Sequence, residues 1–388
     1  MVILVAGAAW AALVLWLLSR ALRQFRAYRQ SALSAPTEPF DFPSVSIIIP
    51  ARNEVENIGF CLDGLGAQTG LSPSSSITIV DDDSQDGTAP AVRRCSAGDP
   101  RIRLVPAGVL PEGWIGKPHA CWRGALLAEC EWLCFVDADV RAAPQLVAAA
   151  VMTLKAQGIH MLSLYPLQEL GSFWERTIMP AGLLVIACAK SLRSKAQDAA
   201  NGQFLLIRRT VYFQVGGHSA VRAEIAEDKA LAARVTDAGF DFRVLSAEHF
   251  ARTRMYRNLA SLWEGLSKNA TEILGGPIIT LIAGVTALAV GWTSLLLPLT
   301  AALAVFREPS PAAQTGAALA LLGSGVVVAI QFGSARHFRI PAAFGLIFAL
   351  GYTAVACLAC NAVLTGLSGR VRWKGRTYQL AKTPTETT

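Results

Sequence analysis

Apolar residues are concentrated at the two ends of the chain, whereas the middle carries an ordinary mixture of apolar and polar positions. Near the N-terminus, Val2–Leu18 is an uncharged apolar run, close to the minimum of about 17 residues for a membrane span. Four arginines follow at helical spacing: Arg20, Arg23, Arg26 and Arg29. The alternative is a cleaved signal peptide, but that carries its positive charge before the apolar run. We therefore expect a transmembrane anchor over residues 1–19, with the following segment in the cytoplasm.

The last third of the chain contains three apolar blocks, Leu274–Phe306, Ala317–Phe332 and Ile340–Leu367. The first block has 33 residues, which is long for one span and short for two. We therefore predict a transmembrane region over residues 274–368 with three or four membrane segments, followed by a basic cytoplasmic tail, 369–388. A cytoplasmic tail requires that the first block is a tight hairpin or that one block is re-entrant. The basic loop Arg336–Arg339 opposes this arrangement, so both topologies stay open.

Between the apolar ends lie a basic juxtamembrane segment and linker, residues 20–43, and a domain with an α/β pattern, residues 44–252. In this domain β-rich runs alternate with runs suited to helices, an order that predicts a mostly parallel sheet. The predicted strands are Val45–Ile49, Ile77–Val80, Ile102–Val105, Trp132–Val136 and Met161–Tyr165. Asn53 is expected to cap the helix after the first strand.

Residues 253–273 are predicted to form an amphipathic helix. One face would carry the apolar residues Met255, Leu259, Leu262, Trp263 and Leu266, with basic residues off that face. This pattern is typical of a helix lying in the membrane interface. The alternative is a helix packed against the α/β domain.

Charge and cysteine content agree with a membrane-associated cytoplasmic domain. Only 16% of residues are charged, against about 25% in soluble proteins, and the net charge is +7. The basic surplus flanks the apolar segments, which favours anionic lipid headgroups, and we find no nucleic-acid-binding module. Six of the eight cysteines fall in the predicted cytoplasmic part, so a disulfide framework is not expected.

Candidate chemistry lies where the predicted strands end. Asp137 and Asp139 follow an apolar strand, and because strand residues i and i+2 face the same side, both carboxylates should converge on one point. Such a pair suits Mg²⁺, which completes its octahedron with water and phosphate oxygens. The residues after the first two strands, Pro50–Glu54 and Asp82, could contact a base and a ribose, although an acidic turn is the alternative for the second.

Two further groups come from predicted helices. Lys117 follows glycines at a helix N-terminus, where an ammonium and free backbone N–H groups could meet a phosphate. Asp228, after Glu227, could act as general base, although a solvated first helical turn is the alternative. His119 is a weaker candidate, because a surface or packing role is favoured over a role in the site.

Together these residues resemble family 2 glycosyltransferases of the GT-A fold, a Rossmann-like α/β fold, over roughly residues 44–270. The resemblance rests on Pro50–Glu54, Val80–Thr88, Phe135–Asp139 and the downstream Glu227-Asp228 pair. Glycine is common in the family where this chain has Asp83, a difference that affects a turn more than a catalytic group.

The resemblance implies an inverting transfer and a role for each candidate. Asp228 would deprotonate the acceptor, and Mg²⁺ or Mn²⁺ held mainly by Asp139, with Asp137, would stabilise the leaving diphosphate. The implied donor-binding residues are Pro50, Ala51, Asn53, Glu54, Asp82, Lys117, Asp137 and Ala138. The implied acceptor-side residues are Gly202, Gln203, His218 and Glu227.

Within the family, the chain looks most like membrane hopene-associated and diaponeurosporenoate (carotenoid) glycosyltransferases. The matching segments include Gly113–Lys117, Gly216–His218, Trp263–Gly265 and Trp373–Tyr378. This likeness implies transfer from a nucleotide sugar, expected to be a UDP-sugar, to an isoprenoid-type lipid hydroxyl or carboxylate at the cytoplasmic face of the inner membrane. Transfer to a polyprenyl phosphate or a sphingolipid-like acceptor, and a non-catalytic membrane scaffold, remain as alternatives.

Overall fold

The computed structural model describes residues 1–35, 42–189, 200–368 and 370–379. The strands in chain order are β1 (Val45–Ala51), β2 (Ser76–Asp81), β3 (Ile102–Pro106), β4 (Trp132–Val136), β5 (Val140–Ala142), β6 (Met161–Tyr165), β7 (Leu167–Gln168), β8 (Phe204–Arg208), β9 (Phe242–Ser246), β10 (Ala251–Thr253), β11 (Arg370–Trp373) and β12 (Arg376–Gln379). The helices are α1 (Val2–Gln30), α2 (Ile58–Gly66), α3 (Thr88–Ser96), α4 (Gly116–Leu126), α5 (Leu146–Gln157), α6 (Phe173–Ala189), α7 (Arg209–Gln214), α8 (Glu227–Asp237), α9 (Leu259–Leu274), α10 (Pro277–Arg307), α11 (Pro311–His337) and α12 (Phe348–Ser368).

A seven-stranded sheet in the order β3-β2-β1-β4-β8-β6-β9 forms the centre of the α/β domain. Neighbouring strands are parallel except for β8, which runs antiparallel to both β4 and β6. All five predicted strands are present. The continuous apolar runs of β1 and β4 are buried, as expected for strands covered on both faces of a parallel sheet.

Helix α4 lies unusually close to the sheet. A Cβ atom at Gly124 would collide with the Ile48 side chain and lie 3.1 Å from Val80 Cγ2, so only glycine allows this approach. The close packing holds the N-terminus of α4, and with it Lys117, near the carboxyl ends of β1 and β4. The position of Lys117 therefore depends on Gly124, which lies two turns further along α4.

Four helices, α1, α10, α11 and α12, are long and apolar enough to cross a membrane. The first C-terminal block is a single helix, α10, rather than a tight hairpin. Helix α11 returns to the α/β domain, where His337 Nε2 lies 3.2 Å from Glu248 Oε1.

Helix α12 begins midway along α10 and runs back toward the α/β domain. Near its start, the Ala349 Cα lies 3.4 Å from where a Gly291 Cβ would be, and ten residues later Ala359 packs against Gly284 in the same way. Since α11 also ends near the domain, residues 338–347 enter the helical layer and α12 leaves it on the same side. This is the arrangement expected if the last apolar block is re-entrant, and it brings the C-terminal tail to the α/β domain.

The predicted amphipathic helix starts at Leu259, six residues later than expected, after an Asn258–Ser261 capping box. The preceding residues form a loop because their arginines are held elsewhere. Arg254 makes two hydrogen bonds, 3.1 and 2.9 Å, to the buried Glu175 carboxylate of α6. The apolar face of α9 packs with α6 and α12 around the fully buried Leu262, whereas Leu259 and Trp263 on the same face are only partly buried.

Candidate active site

The carboxyl ends of β1, β2 and β4 lie side by side and carry the predicted donor residues. Pro50 and Ala51 pair with Val80 and Asp81 in register, and the Asp82 N–H donates to the Ala51 carbonyl at 2.8 Å. This edge is where ligands bind in open α/β sheets. The three sequence motifs are therefore brought together at one place.

Asn53 does not cap a helix, contrary to our expectation. Helix α2 starts at Ile58 after Asn57, whereas Asn53 has a left-handed backbone (φ 52°) and its Oδ1 accepts the Gln85 N–H at 2.9 Å. Asn53 instead joins the loops after β1 and β2. Asp83 also adopts positive φ, 60°, which explains why glycine suits this turn in related sequences.

Asp82 is almost fully buried, and its two oxygens differ. Oδ2 is paired with the guanidinium of Arg376, while Oδ1 has no hydrogen-bond partner among the described residues. Arg52 supports the same loop by donating to the carbonyls of Asp82 and Asp83. A buried carboxylate oxygen without a hydrogen-bond partner is costly unless a ligand supplies one. Asp82 Oδ1 is therefore a candidate contact for the nucleotide-sugar donor.

Asp137 and Asp139 flank Ala138 directly after β4, and the Asp137 N–H donates to the Gln203 carbonyl at 3.1 Å. The Oδ1 atom of Asp139 is buried and without a partner in the described part of the chain. Burial raises the pKa of Asp139 to about 7, and the charges of Asp137 and Glu54 add to the effect. Such a carboxylate suits a divalent cation, which would restore its ionised form.

The side chains near Asp139 do not form a complete set of metal ligands by themselves. Among the described residues, no three acidic, histidine or cysteine side chains come close enough to enclose a metal on their own. Magnesium-type sites often use one or two carboxylates and take their remaining ligands from water and substrate phosphates. Asp139, with Asp137 beside it, fits that kind of site.

Lys117 connects the two halves of the site. Its Nζ atom lies 2.8 Å from Asp137 Oδ1 and 3.0 Å from Glu227 Oε1. Burial alone would lower the pKa of Lys117, but the two carboxylates outweigh it and hold the pKa well above its usual range. The same ammonium keeps the pKa of Glu227 low against the effect of burial. Lys117 is therefore a fixed positive charge between Asp137 and Glu227.

Asp228 lies at the start of α8, facing the loop before β8. Its Oδ2 accepts the Gly202 N–H at 2.7 Å, and its Oδ1 accepts the Lys229 N–H at 2.8 Å. Burial raises the pKa of Asp228 to about 6, with a contribution from the charge of Glu227. A carboxylate with this pKa is ionised at neutral pH and still basic enough to take a proton.

The other acceptor-side candidates are placed differently. Gln203 is buried, and its Oε1 accepts hydrogen bonds from Asn201 and Gln168. His218 lies behind Glu227, with Nδ1 2.9 Å from the Tyr212 hydroxyl, and burial lowers its pKa to about 4. It supports the wall of the site as a neutral ring. His119 is buried beside Trp114, and burial lowers its pKa as well.

A cavity of about 700 Å³ lies between α9 and α12. Leu259, Trp263 and Ser267 line it from α9, and Asn361 and Thr365 from α12. Lys268 lies at the edge of the cavity. Burial lowers the pKa of this lysine, and the negative charge of Glu227 opposes the effect more strongly than any other charge. The cavity thus lies among the apolar helices, and Lys268 is the lining residue that senses the charge of Glu227.

Sequence reasoning missed the two cations of the C-terminal tail. The Lys374 ammonium pairs with Glu54, and Arg376 pairs with Asp82. The tail is visibly basic in the sequence, but its distance from both carboxylates, 320 and 294 positions, gives no sign of these contacts.

A mostly parallel sheet with clustered carboxylates at its strand ends defines an enzyme of the GT-A fold class, and the apolar helices at both chain ends could cross a membrane. Residues 46–228 match the Glycosyl transferase family 2 model. The chain therefore contains a family 2 glycosyltransferase domain, and the fold expected from the sequence is confirmed.

Named relatives and a solved structure agree with this assignment. The 4,4'-diaponeurosporenoate glycosyltransferase of Staphylococcus aureus strain MRSA252 is 26% identical over 362 residues, covering 91% of this chain and 93% of that protein. The protein of the same name from strain USA300 is 29% identical over 256 residues, 64% of this chain and 66% of that protein. The mannosyltransferase PcManGT from Pyrobaculum calidifontis, solved with GDP-Man and Mn²⁺, shares the fold with a TM-score of 0.54 at 19% identity, covering 94% of this chain and 99% of that structure.

Proposed function

We propose that this protein is a membrane-bound inverting glycosyltransferase that moves a sugar from a nucleotide-sugar donor, a UDP-sugar, to an isoprenoid-type lipid acceptor. The observation that carries the proposal is the buried Oδ1 of Asp139, which has no hydrogen-bond partner among the described residues. Lys117 joins the nearby Asp137 to Glu227, the residue before Asp228. Metal-side and base-side carboxylates are thus held in one cleft by a fixed charge. The names of the Staphylococcus aureus relatives support a lipid acceptor.

The donor would occupy the ends of β1, β2 and β4. Asp82 Oδ1 would accept from the nucleoside, and the strand-end residues Pro50 and Ala51 would line the base. Asp139, with Asp137, would hold Mg²⁺ or Mn²⁺, which supplies electrostatic stabilisation to the leaving diphosphate.

The acceptor would come from the membrane side, through the cavity between α9 and α12. Its apolar wall, with Trp263 and Leu259, suits an isoprenoid chain, while Ser267 and Asn361, hydrogen-bonded at 2.9 Å, add polar groups to the lining. Lys268, which lines the same cavity, would meet the polar head of the lipid. The expected interfacial helix would thus form one wall of the acceptor site.

In the proposed reaction, Asp228 takes the proton from the acceptor oxygen as that oxygen attacks the anomeric carbon. The sugar–phosphate bond breaks on the opposite face, and the nucleoside diphosphate leaves. The backbone N–H groups of Gly202 and Lys229 fix the Asp228 carboxylate for this role. The raised pKa of Asp228 is suited to proton transfer near neutral pH.

The test measures nucleoside diphosphate release from UDP-glucose by the full-length protein in nanodiscs, with Mn²⁺, with and without an isoprenoid-lipid extract. Asp228→Asn should lower the lipid-stimulated kcat by about 10²- to 10⁴-fold, the usual contribution of a general base. Asp139→Ala should abolish the response to Mn²⁺. Asp237→Asn, at an exposed position of the same helix α8, is the matched control and should behave as wild type.

Each outcome bears on a separate part of the proposal. Unchanged release in Asp228→Asn and Asp139→Ala would refute the assigned site. Release in the wild type that lipid does not stimulate would refute the lipid acceptor, and mass spectrometry of the labelled product identifies the acceptor when stimulation occurs.

A further inference from the structure

The C-terminal hairpin, β11 and β12, has a turn whose first residue does not favour the conformation it adopts. Lys374 and Gly375 occupy the two turn positions, with φ of 45° and 80°. A two-residue turn with two positive φ values normally contains Asn-Gly or Asp-Gly. Lysine is uncommon in this conformation, and such strain at one residue is a reason to look for a function.

Three contacts join this hairpin to the predicted donor residues. The Lys374 ammonium pairs with the Glu54 carboxylate, and the Arg376 guanidinium pairs with Asp82 Oδ2. Arg52 Nε donates to the Lys374 carbonyl at 3.2 Å, which ties the turn itself to the loop after β1. The strained lysine is therefore held at the point where β1 ends.

The charges of the site explain why two cations are needed there. Six carboxylates line the cleft: Glu54, Asp82, Asp137, Asp139, Glu227 and Asp228. A nucleoside diphosphate would bring further negative charge into the same space. Lys117 is already engaged by Asp137 and Glu227, so it offsets only part of the repulsion.

The hairpin cations face the donor side and leave donor contacts open. Lys374 is held by Glu54 in the loop after β1, and β1 lies beside β4, the strand that Asp137 and Asp139 follow. Arg376 occupies Oδ2 of Asp82, while Oδ1 stays buried and unpartnered among the described residues. If the hairpin instead blocked the nucleotide site, we would expect it to supply a hydrogen bond to Asp82 Oδ1 as well.

We propose that the C-terminal hairpin is a component of the donor-binding site, in which Arg376 is a positioning residue for Asp82 and Lys374 places positive charge beside the donor diphosphate. This inference rests on the proposed nucleotide-sugar donor. Arg376 holds Oδ2 of Asp82, which leaves Oδ1 for the nucleoside. Lys374 and the divalent cation together offset the charge of the diphosphate.

The experiment is equilibrium binding of UDP, and separately GDP, to the full-length protein in detergent with Mn²⁺, by isothermal titration calorimetry. Lys374→Asn is the decisive variant, because asparagine suits the turn better than lysine but removes the ammonium. It should weaken nucleotide binding about tenfold, the effect of losing one charge-assisted hydrogen bond. Arg376→Gln should weaken binding by a similar factor, and Arg376→Lys should restore part of it.

Two exposed positions of the α/β domain provide matched controls. Lys155→Asn on α5 and Arg103→Gln on β3 make the same chemical changes away from the site and should leave the affinity unchanged. In steady-state assays, the hairpin variants should raise the donor KM by more than they lower kcat, a split that loss of folded protein would not produce.

The outcomes separate this inference from the function on which it rests. Binding by the wild type with equal affinity in Lys374→Asn and Arg376→Gln would overturn the inference alone. Tighter binding in these variants would show that the hairpin obstructs the empty site, which also overturns it. Failure of the wild type to bind either nucleotide would overturn the proposed function, and the inference with it.

Discussion

Replacing Lys117 by methionine should raise the pH at which the enzyme loses activity in acid. The methionine side chain keeps an unbranched apolar stem but removes the charge that lies 2.8 Å from Asp137 and 3.0 Å from Glu227. Lys117 also lowers the pKa of Asp228, against the stronger effects of burial and of Glu227. Without Lys117, the proton on Asp228 is held more tightly, so a higher pH is needed to form the base.

The size of the shift follows from the position of the lysine. An opposite charge within about 4–6 Å lowers the pKa of a carboxyl group by about 1–3 units. The Lys117 side chain is 35% exposed, so solvent screens part of its field and the lower end applies. We expect the pKa of Asp228 to rise from about 6 to about 7, equivalent to about 1.4 kcal/mol. At pH 6, activity should fall from about half of its maximum to about a tenth.

The assay is the pH dependence of kcat for nucleoside diphosphate release between about pH 5 and 9, at saturating donor, Mn²⁺ and lipid. Lys117→Arg keeps the charge and should leave the acid limb near its wild-type position. Lys155→Met on α5 is the matched control for loss of a lysine. An acid limb that stays in place in Lys117→Met, or moves to lower pH, would refute the reasoning, because it would mean that Lys117 does not set the proton affinity of the base.

Two further predictions concern packing. In Gly316→Val, the new Cβ would lie 2.5 Å from the Ile3 carbonyl oxygen where α1 crosses α11, and overpacking of about 1–3 kcal/mol should lower Tm in detergent. The control is Gly325→Val, which has open space at its Cβ and should unfold like wild type. Equal Tm values for the two variants would contradict the close crossing. Arg254→Met should lower the free energy of unfolding by about 3 kcal/mol, since it leaves the Glu175 carboxylate buried and unpaired. Adding Glu175→Gln to this variant should recover part of the lost stability. No recovery would mean that the buried charge is not the cause.

The sheet and the carboxylate pair were predictable because both follow from local patterns. The apolar runs of β1 and β4 are continuous, as fully buried strands require. Asp137 and Asp139 follow β4 at the spacing that places them on one side. By contrast, the antiparallel insertion of β8 between β4 and β6 depends on pairing between distant segments, which no local pattern records.

The partners of the charged residues could not be predicted for a similar reason. The sequence indicates that Lys117 starts a helix, but Glu227 lies far along the chain, and only the packing of α4 on the sheet brings the two together. The length of the first C-terminal apolar block left the number of membrane segments equally ambiguous. A run of 33 apolar residues suits one long helix or a short hairpin, and the contacts of α10 with α12 decide between them.

The pairing of the hairpin with the donor loops has a consequence for how the protein is made. Glu54 meets Lys374 only after 320 further residues have been added to the chain. At a synthesis rate of about 5–20 residues per second, the α/β domain emerges from the ribosome well before its two tail cations. The nascent domain therefore carries Glu54 and Asp82 without these partners until α12 has been synthesised and the tail has turned back. The last step in forming these two ion pairs is thereby the completion of the chain itself, and a truncation before Lys374 would leave both carboxylates without these cations.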